Sequence, residues 1–144
     1  MGEKEIDNRF SRFGTVSFTS ITKVNDFINY LEQGKIMGTR CKTCGERFFP
    51  PRADCCKSLD GNMEWLEVTG YGILQTFSTL YYAPAGFETD LPYTIAVVDF
   101  GSCKVFGQLD PAIDAKSLQI GMKLKIAVHK LNEKQLIYRF QEVQ

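Results

Sequence analysis

The segment Cys41-Lys42-Thr43-Cys44-Gly45 carries the densest chemistry in the sequence. Two thiolates two residues apart can grip one tetrahedral ion, and Gly45 permits the tight turn behind them. The same spacing serves thioredoxin-like redox pairs, but those open a helix after a strand, and Gly45 followed by Pro50-Pro51 prevents such a helix. The second half is less regular. Cys55 lies eleven residues after Cys44, Cys56 stands directly beside it, and Ser58 occupies the place where a second C-x-x-C needs its last cysteine. Neighbouring cysteines reach one ion together only with backbone distortion, and a serine hydroxyl is a poor ligand because it resists deprotonation near neutral pH. The candidate ligands of a structural zinc are Cys41, Cys44, Cys55 and the irregular Cys56, against the alternative of a metal-free knuckle.

Around these thiols lie Lys35, Arg40, Lys42, Arg47, Arg52 and Lys57 against Glu46 and Asp54, a local excess of four positive charges. Such a patch could hold phosphates, those of coenzyme A among them, or acidic groups on a partner; a solvated face of a small ribbon is the competing reading. Catalytic groupings are harder to find. The single histidine, His129, shares a strand face with Lys125 and Ala127 and is expected to face solvent. Cys103 opens a strand after a turn, and Asp99 and Asp110 flank the same hairpin as solvated turn residues. No catalytic residue is assigned, and the chain is expected not to be an enzyme on its own.

The elements that must position these groups follow from periodicity. Val24, Phe27, Ile28 and Leu31 fall at i, i+3, i+4 and i+7, which predicts one amphipathic helix within Thr22 to Gln33, N-capped by Thr22 and stopped by Gly34. Residues 35–62 hold four of the five cysteines, two consecutive prolines and three glycines, so something other than an apolar core must organise them. Beyond Asn62 the chain reads as strands: Glu64 to Val68, Tyr71 to Tyr82, Tyr93 to Phe100, Cys103 to Leu109, Leu124 to Leu131 and Leu136 to Val143. Phe100-Gly101-Ser102-Cys103 predicts a two-residue hairpin, and Asp110-Pro111 a short capped helix before Gly121. The expected fold is mainly β: residues 1–34 an arm and helix, 35–62 a rubredoxin-like zinc ribbon, and 63–144 a five-stranded OB-fold barrel.

A more specific likeness sits in Gly34-Lys35-Ile36-x-Gly38-x-Arg40-Cys41-x-x-Cys44-Gly45, then Phe49-Pro50-Pro51-Arg52-x-x-Cys55, Trp65 and Gly70, and the barrel segment Pro92 to Val98 with Gly107. This pattern resembles the zinc-ribbon plus OB-fold family catalogued as domain of unknown function thirty-five; the departure is Ser58 in place of the fourth cysteine. Members of that family accompany thiolases and hydroxymethylglutaryl-CoA synthases, and the resemblance implies a small accessory subunit that docks on a dimer of a thiolase-fold catalytic subunit, as a hetero-oligomer, and helps enclose or bind acyl-CoA; one copy per catalytic subunit is the expected assembly. Bacterial thiolases of aromatic degradation and of steroid side-chain removal have such partners, the benzoylsuccinyl-CoA thiolase among them.

Composition bounds the alternatives. The 144 residues carry 17 positive and 17 negative side chains, ten of each sign before Gly72 and seven of each after it. Zinc ribbons and OB-folds also occur in nucleic-acid binders, and Tyr71, Phe77, Tyr81, Tyr82 and Tyr93 offer stacking surfaces, but a phosphate-tracking groove needs a positive excess that neither half has. A stand-alone acyl-CoA-binding protein is the third reading. No apolar run approaches the roughly 20 residues of a membrane span. The opening Met1 to Asp7 is acidic where a signal peptide has a basic start, so a cytoplasmic location is expected, and the odd cysteine count argues against a disulfide framework. The arm residues Phe10, Phe13 and Phe18, with Phe27, Leu31, Phe48 and Phe49, are expected to leave an apolar surface for the partner.

Overall fold

The computed structural model describes residues 6–7, 19–20 and 23–144. Phe10, Phe13 and Phe18 of the arm, and the expected N-cap Thr22, lie outside the described residues. Two short antiparallel strands, β1 (Ile6–Asp7) and β2 (Thr19–Ser20), precede α1 (Asp26–Glu32), the one α-helix among the described residues, which is shorter than the periodicity implied. Its apolar stripe buries Phe27, Ile28 and Leu31. Gly34 ends it at φ +78°, where the N–H of Gly34 reaches Leu31 O at 2.9 Å and that of Lys35 reaches Tyr30 O at 2.9 Å. Those two bonds satisfy carbonyls that the last turn would otherwise leave unpaired.

The ribbon is built on a three-stranded sheet in the order β4 (Arg47–Phe48), β3 (Met37–Cys41), β5 (Met63–Glu67), antiparallel throughout. The strand from residue 63, expected with the barrel, therefore belongs to the ribbon's sheet, where Trp65 pairs with Thr39 and Glu64 with Arg40.

Five strands close the barrel: β6 (Tyr71–Leu80), β7 (Tyr93–Asp99), β8 (Lys104–Leu109), β9 (Lys123–Asn132) and β10 (Gln135–Glu142), arranged β10-β8-β7-β6-β9. Closure depends on β6, whose first residues pair with β9 and whose remainder pairs with β7, with a register shift between Leu74 and Thr76. A parallel pairing of β10 with β8 completes the ring, leaving no open edge on it. Along β7 the buried residues are Thr94, Ala96 and Val98, the period of two that a strand with one face inward requires. The β7–β8 turn is the expected two-residue hairpin, with Phe100 N–H bonded to Cys103 O at 3.0 Å and Gly101 at φ +78°. The connection after β8 differs in detail: Asp110 Oδ1 accepts from Ala112 N–H at 2.9 Å in a turn, and the helical piece is one 3-10 turn, Ala115–Ser117, capped by Asp114.

The barrel core is apolar and tight, with Phe140, Leu74, Leu124, Val98 and Val105 fully enclosed. Rings link the three parts: Phe27 of the helix meets Phe49 of the ribbon edge-on at 6.0 Å, and Phe49 meets Tyr138 of the barrel at 5.5 Å. Tyr30 packs edge-on against Trp65 at 5.2 Å. Gly107 lies against the Tyr138 and Phe140 rings, since a Cβ there would stand 2.9 Å from Tyr138 and 3.1 Å from Phe140. Of the apolar groups expected to leave a surface for a partner, Phe27 and Leu31 are buried within the fold, whereas Phe49 is half-buried against Phe27 and Tyr138. Phe48 is half-buried, with the Arg52 guanidinium 4.9 Å over its ring. The large apolar groups that remain exposed include Tyr71, Tyr81, Tyr82 and Phe106 on the barrel side of the molecule.

Candidate metal centre and basic cleft

Two turns of the ribbon bring three thiols together. The Cys41 end of β3 and the turn behind it present Cys41 and Cys44, and the following loop presents Cys55, so that the three sulfurs lie within 4.8 Å of one another. Cys44 Sγ and Cys55 Sγ are 3.5 Å apart. Cys41 and Cys55 are buried and Cys44 is exposed. Cys56 is exposed and stands outside this group, so of the four sequence candidates the structure brings together three. What approaches instead is Ser58, whose Oγ is 3.2 Å from Cys41 Sγ.

The electrostatics of the cluster suit a cation. Hydrogen bonds from the Ser58 N–H and then the Ser58 hydroxyl bring Cys55 down to about 6 from an ordinary 9.0. The Ser58 hydroxyl is also the main reason that Cys41 is lowered, followed by the Cys44 N–H. Cys44 moves the other way: the Glu46 N–H favours its thiolate, but desolvation and the neighbouring Cys55 and Cys41 sulfurs outweigh it. Clustered thiols resist full ionisation together unless a positive charge sits among them, which is what a tetrahedral zinc supplies. The donor set therefore fits a structural zinc held by Cys41, Cys44 and Cys55.

Beside the ribbon's β4 lies a cleft of about 490 Å³, open between ribbon and barrel and lined by Gly45, Glu46, Arg47, Phe48, Phe49 and Arg52 on one side and by Ser102, Cys103 and Lys104 of the β7–β8 hairpin on the other, three basic side chains against one acidic. Of the five basic candidates, Arg47 and Arg52 line it, and Lys35, Arg40 and Lys42 do not. Arg40 forms an ion pair with Glu64 across the β3–β5 pairing, and Lys57 one with Glu46. Lys104 joins the cleft from the barrel. Sequence reasoning missed it because a hairpin lysine gives no sign of which distant segment it faces. Cys103 in the same wall is pushed up from its ordinary value by burial, so its thiol stays protonated.

His129 is not the solvent-facing residue its strand pattern suggests. Its Nε2 lies 3.0 Å from Gln141 Nε2 and 3.7 Å from Asp110 Oδ2, in a half-buried polar cluster that ties β9, β10 and the end of β8. Asp110 in turn is held below the usual carboxylate range by the Ala112 N–H, then by Gln141 and His129. The loop after β6 contributes Pro84 and Phe87 to an apolar groove of about 330 Å³ shared with Leu80, Tyr93, Ile95 and Phe106. Among the described residues, no helix is long and apolar enough to cross a membrane.

A cysteine-clustered ribbon carried on a closed five-stranded barrel defines the class: a rubredoxin-like zinc ribbon joined to an OB-fold. Residues 29–64 match the family model described as the ChsH2 rubredoxin-like zinc ribbon domain, and residues 65–129 match that of the ChsH2 C-terminal OB-fold domain. The chain belongs to the DUF35 family. A DUF35 domain-containing scaffold protein of Methanocaldococcus jannaschii is 31% identical over 102 residues, 68% of this chain and 70% of that protein. The benzoylsuccinyl-CoA thiolase subunit BbsA of Thauera aromatica is 31% identical over 78 residues, covering 54% of this chain and 53% of its own. Among solved structures, an Ltp2-ChsH2(DUF35) aldolase chain superposes with a TM-score of 0.70 at 21% identity, over 85% of this chain and 96% of that one, a likeness of fold.

Proposed function

We propose that this chain is a non-catalytic accessory subunit of a thiolase-type acyl-CoA C-acyltransferase complex, docked on a dimer of the thiolase-fold catalytic subunit and helping to bind acyl-CoA. Kinship supports the assembly: relatives are named as scaffold proteins and as a thiolase subunit. The observation that carries the acyl-CoA part is the basic cleft. Arg47, Arg52 and Lys104 line a recess of about 490 Å³ from two parts of the fold, and the acidic Glu46 in the same wall is paired with Lys57. Guanidinium groups meet phosphate oxygens with paired hydrogen bonds, and a lysine adds a movable point charge, so the cleft suits the phosphates of coenzyme A. The half-buried Phe48 and Phe49 give it an apolar floor on the ribbon side. One structural zinc, held by Cys41, Cys44 and Cys55, keeps Arg47 and Arg52 in place by fixing the turns on either side of β4. Because free thiolates need reducing conditions, the cytoplasm is the compartment that this reading requires.

Copurification from the native host with identification of the partner tests the assembly. We expect a thiolase-fold acyltransferase subunit that coelutes with this chain on a sizing column and catalyses thiolysis only, or faster, in its presence. Arg47→Ala with Arg52→Ala should raise the KM for coenzyme A of the complex while leaving coelution intact. A chain that elutes alone, or a double variant with an unchanged KM, would count against the proposal.

A further inference from the structure

The two turns that form the metal centre share one backbone design. In the first, the Cys41 N–H bonds to Glu46 O at 2.8 Å, the Gly45 N–H bonds back to Cys41 O at 2.8 Å, and Gly45 takes φ +79°. In the second, the Cys55 N–H bonds to Asp60 O at 2.9 Å, the Leu59 N–H bonds back to Cys55 O at 3.0 Å, and Leu59 takes φ +59°. The correspondence runs residue by residue: Cys41 with Cys55, Lys42 with Cys56, Cys44 with Ser58, Gly45 with Leu59, Glu46 with Asp60.

That register says which side chain meets the ion. Cys56 occupies the place of Lys42, and both are exposed. Ser58 occupies the place of Cys44. The contacts across the centre follow the same near-symmetry, with Cys44 Sγ on Cys55 Sγ at 3.5 Å matched by Ser58 Oγ on Cys41 Sγ at 3.2 Å. Leu59 reinforces the point. A residue with a Cβ avoids the left-handed region, and Leu59 is 85% exposed, so no packing of its own holds it there. The second turn keeps the backbone of a metal-binding knuckle although its last cysteine is a serine. Asp60 is the other nearby oxygen donor, 3.9 Å from Cys41 Sγ, but its carboxylate already accepts from Thr43 Oγ1 at 2.7 Å and the Asn62 N–H at 3.1 Å.

Resting on the zinc reading of the ribbon, we infer that Ser58 Oγ is the fourth donor, making a centre of three thiolates and one hydroxyl, and that Cys56 is not a ligand. An oxygen donor is harder than a thiolate and a neutral hydroxyl binds zinc more weakly, so this centre exchanges its metal more readily than one with four cysteines.

X-ray absorption of the zinc-loaded full chain, together with zinc affinity by competition against a chelator, tests the assignment. Wild type should show three sulfurs at about 2.3 Å and one oxygen or nitrogen at about 2.0–2.2 Å. Ser58→Cys should show four sulfurs and bind zinc about tenfold or more tightly, Ser58→Ala should bind it about tenfold more weakly, and Cys56→Ser should match wild type in both readouts. Four sulfurs in wild type that fall to three in Cys56→Ser would give the position to Cys56 and overturn the inference. Unchanged affinity in Ser58→Ala would give it to solvent, with the same consequence. Wild-type chain that takes up no zinc overturns the zinc reading as well, and metal content separates that outcome from the other two before any ligand is counted.

Discussion

Between Cys41 and Asn62 only Cys41 and Cys55 are buried, whereas the barrel encloses Phe140, Leu74, Leu124, Val98 and Val105 with no exposed surface. One chain thus uses two sources of order. Each barrel strand gains stability by removing apolar surface from water, about 25 cal/mol per Å², and the closed ring pairs its backbone groups at the same time. The ribbon turns cannot do this, because a segment of that length has too little interior to offset its lost chain entropy. They rely on the reciprocal turn hydrogen bonds at Cys41 and Cys55 and, on the proposed zinc reading, on the ion that the thiol cluster would hold. The difference bears on the proposed acyl-CoA cleft, which has one wall from each region, so its shape depends on both kinds of stability.

Removing the metal is the strongest way to break the comparison. Structural zinc contributes on the order of 10 kcal/mol in small knuckle domains, more than any side-chain substitution in this fold. Treating the zinc-loaded chain with a strong chelator should abolish amide-exchange protection over residues 41–62 while β6 to β10 remain protected. Loss of protection in both regions at once would show that the Phe27–Phe49–Tyr138 ring contacts, and not the metal, dominate the ribbon's stability.

The reverse test acts on the barrel. Phe140 is fully buried and stacks near Phe100 with ring centroids 6.4 Å apart. Phe140→Ala removes a large ring from a closed interior, a change that costs about 3–5 kcal/mol. We expect the denaturant midpoint of the barrel to fall accordingly while zinc stoichiometry stays at the wild-type value. A variant that loses its zinc along with its barrel would mean that the ribbon cannot fold without that support.

Much of this arrangement was legible in the sequence, for reasons that differ by region. Alternation along Tyr93 to Asp99 and the Gly101-Ser102 turn gave the strands, their pairing and the hairpin, because a strand with one buried face writes its period directly into residue type. Cys41 and Cys44 were legible as a knuckle because their spacing is local. Contacts between distant segments were not. Phe49 reads as a spare apolar residue until the barrel's Tyr138 is brought to it, and Lys104 reads as a hairpin lysine until Arg47 and Arg52 are placed opposite. The strand pattern alone misplaces His129 for the same reason, since its Asp110 and Gln141 neighbours come from other strands or strand ends. Spacing marks Ser58 as the missing cysteine, but its place beside Cys41 follows only from the second turn's hydrogen bonds.

The smallest effect has the opposite sign and sharpens the contrast at a single residue. Leu59 holds φ +59° with its side chain 85% exposed, whereas Gly45 meets the same demand in the first turn without a Cβ. A left-handed conformation costs a residue with a Cβ about 1–2 kcal/mol. Leu59→Gly removes that strain and gives up almost no burial, but a glycine also enlarges the unfolded ensemble, which offsets about 0.4–1 kcal/mol of the gain. The net expectation is a ribbon stabilised by about 0.5–1 kcal/mol, read as slower amide exchange at residues 55–60 of the zinc-loaded chain, with the barrel's exchange unchanged. Gly45→Ala should move the first turn the other way, since a Cβ there meets open space and backbone conformation is the cost it brings. Faster exchange in Leu59→Gly would show that the leucine side chain contributes to the turn in some way its exposure conceals, and the two turns would no longer be equivalent.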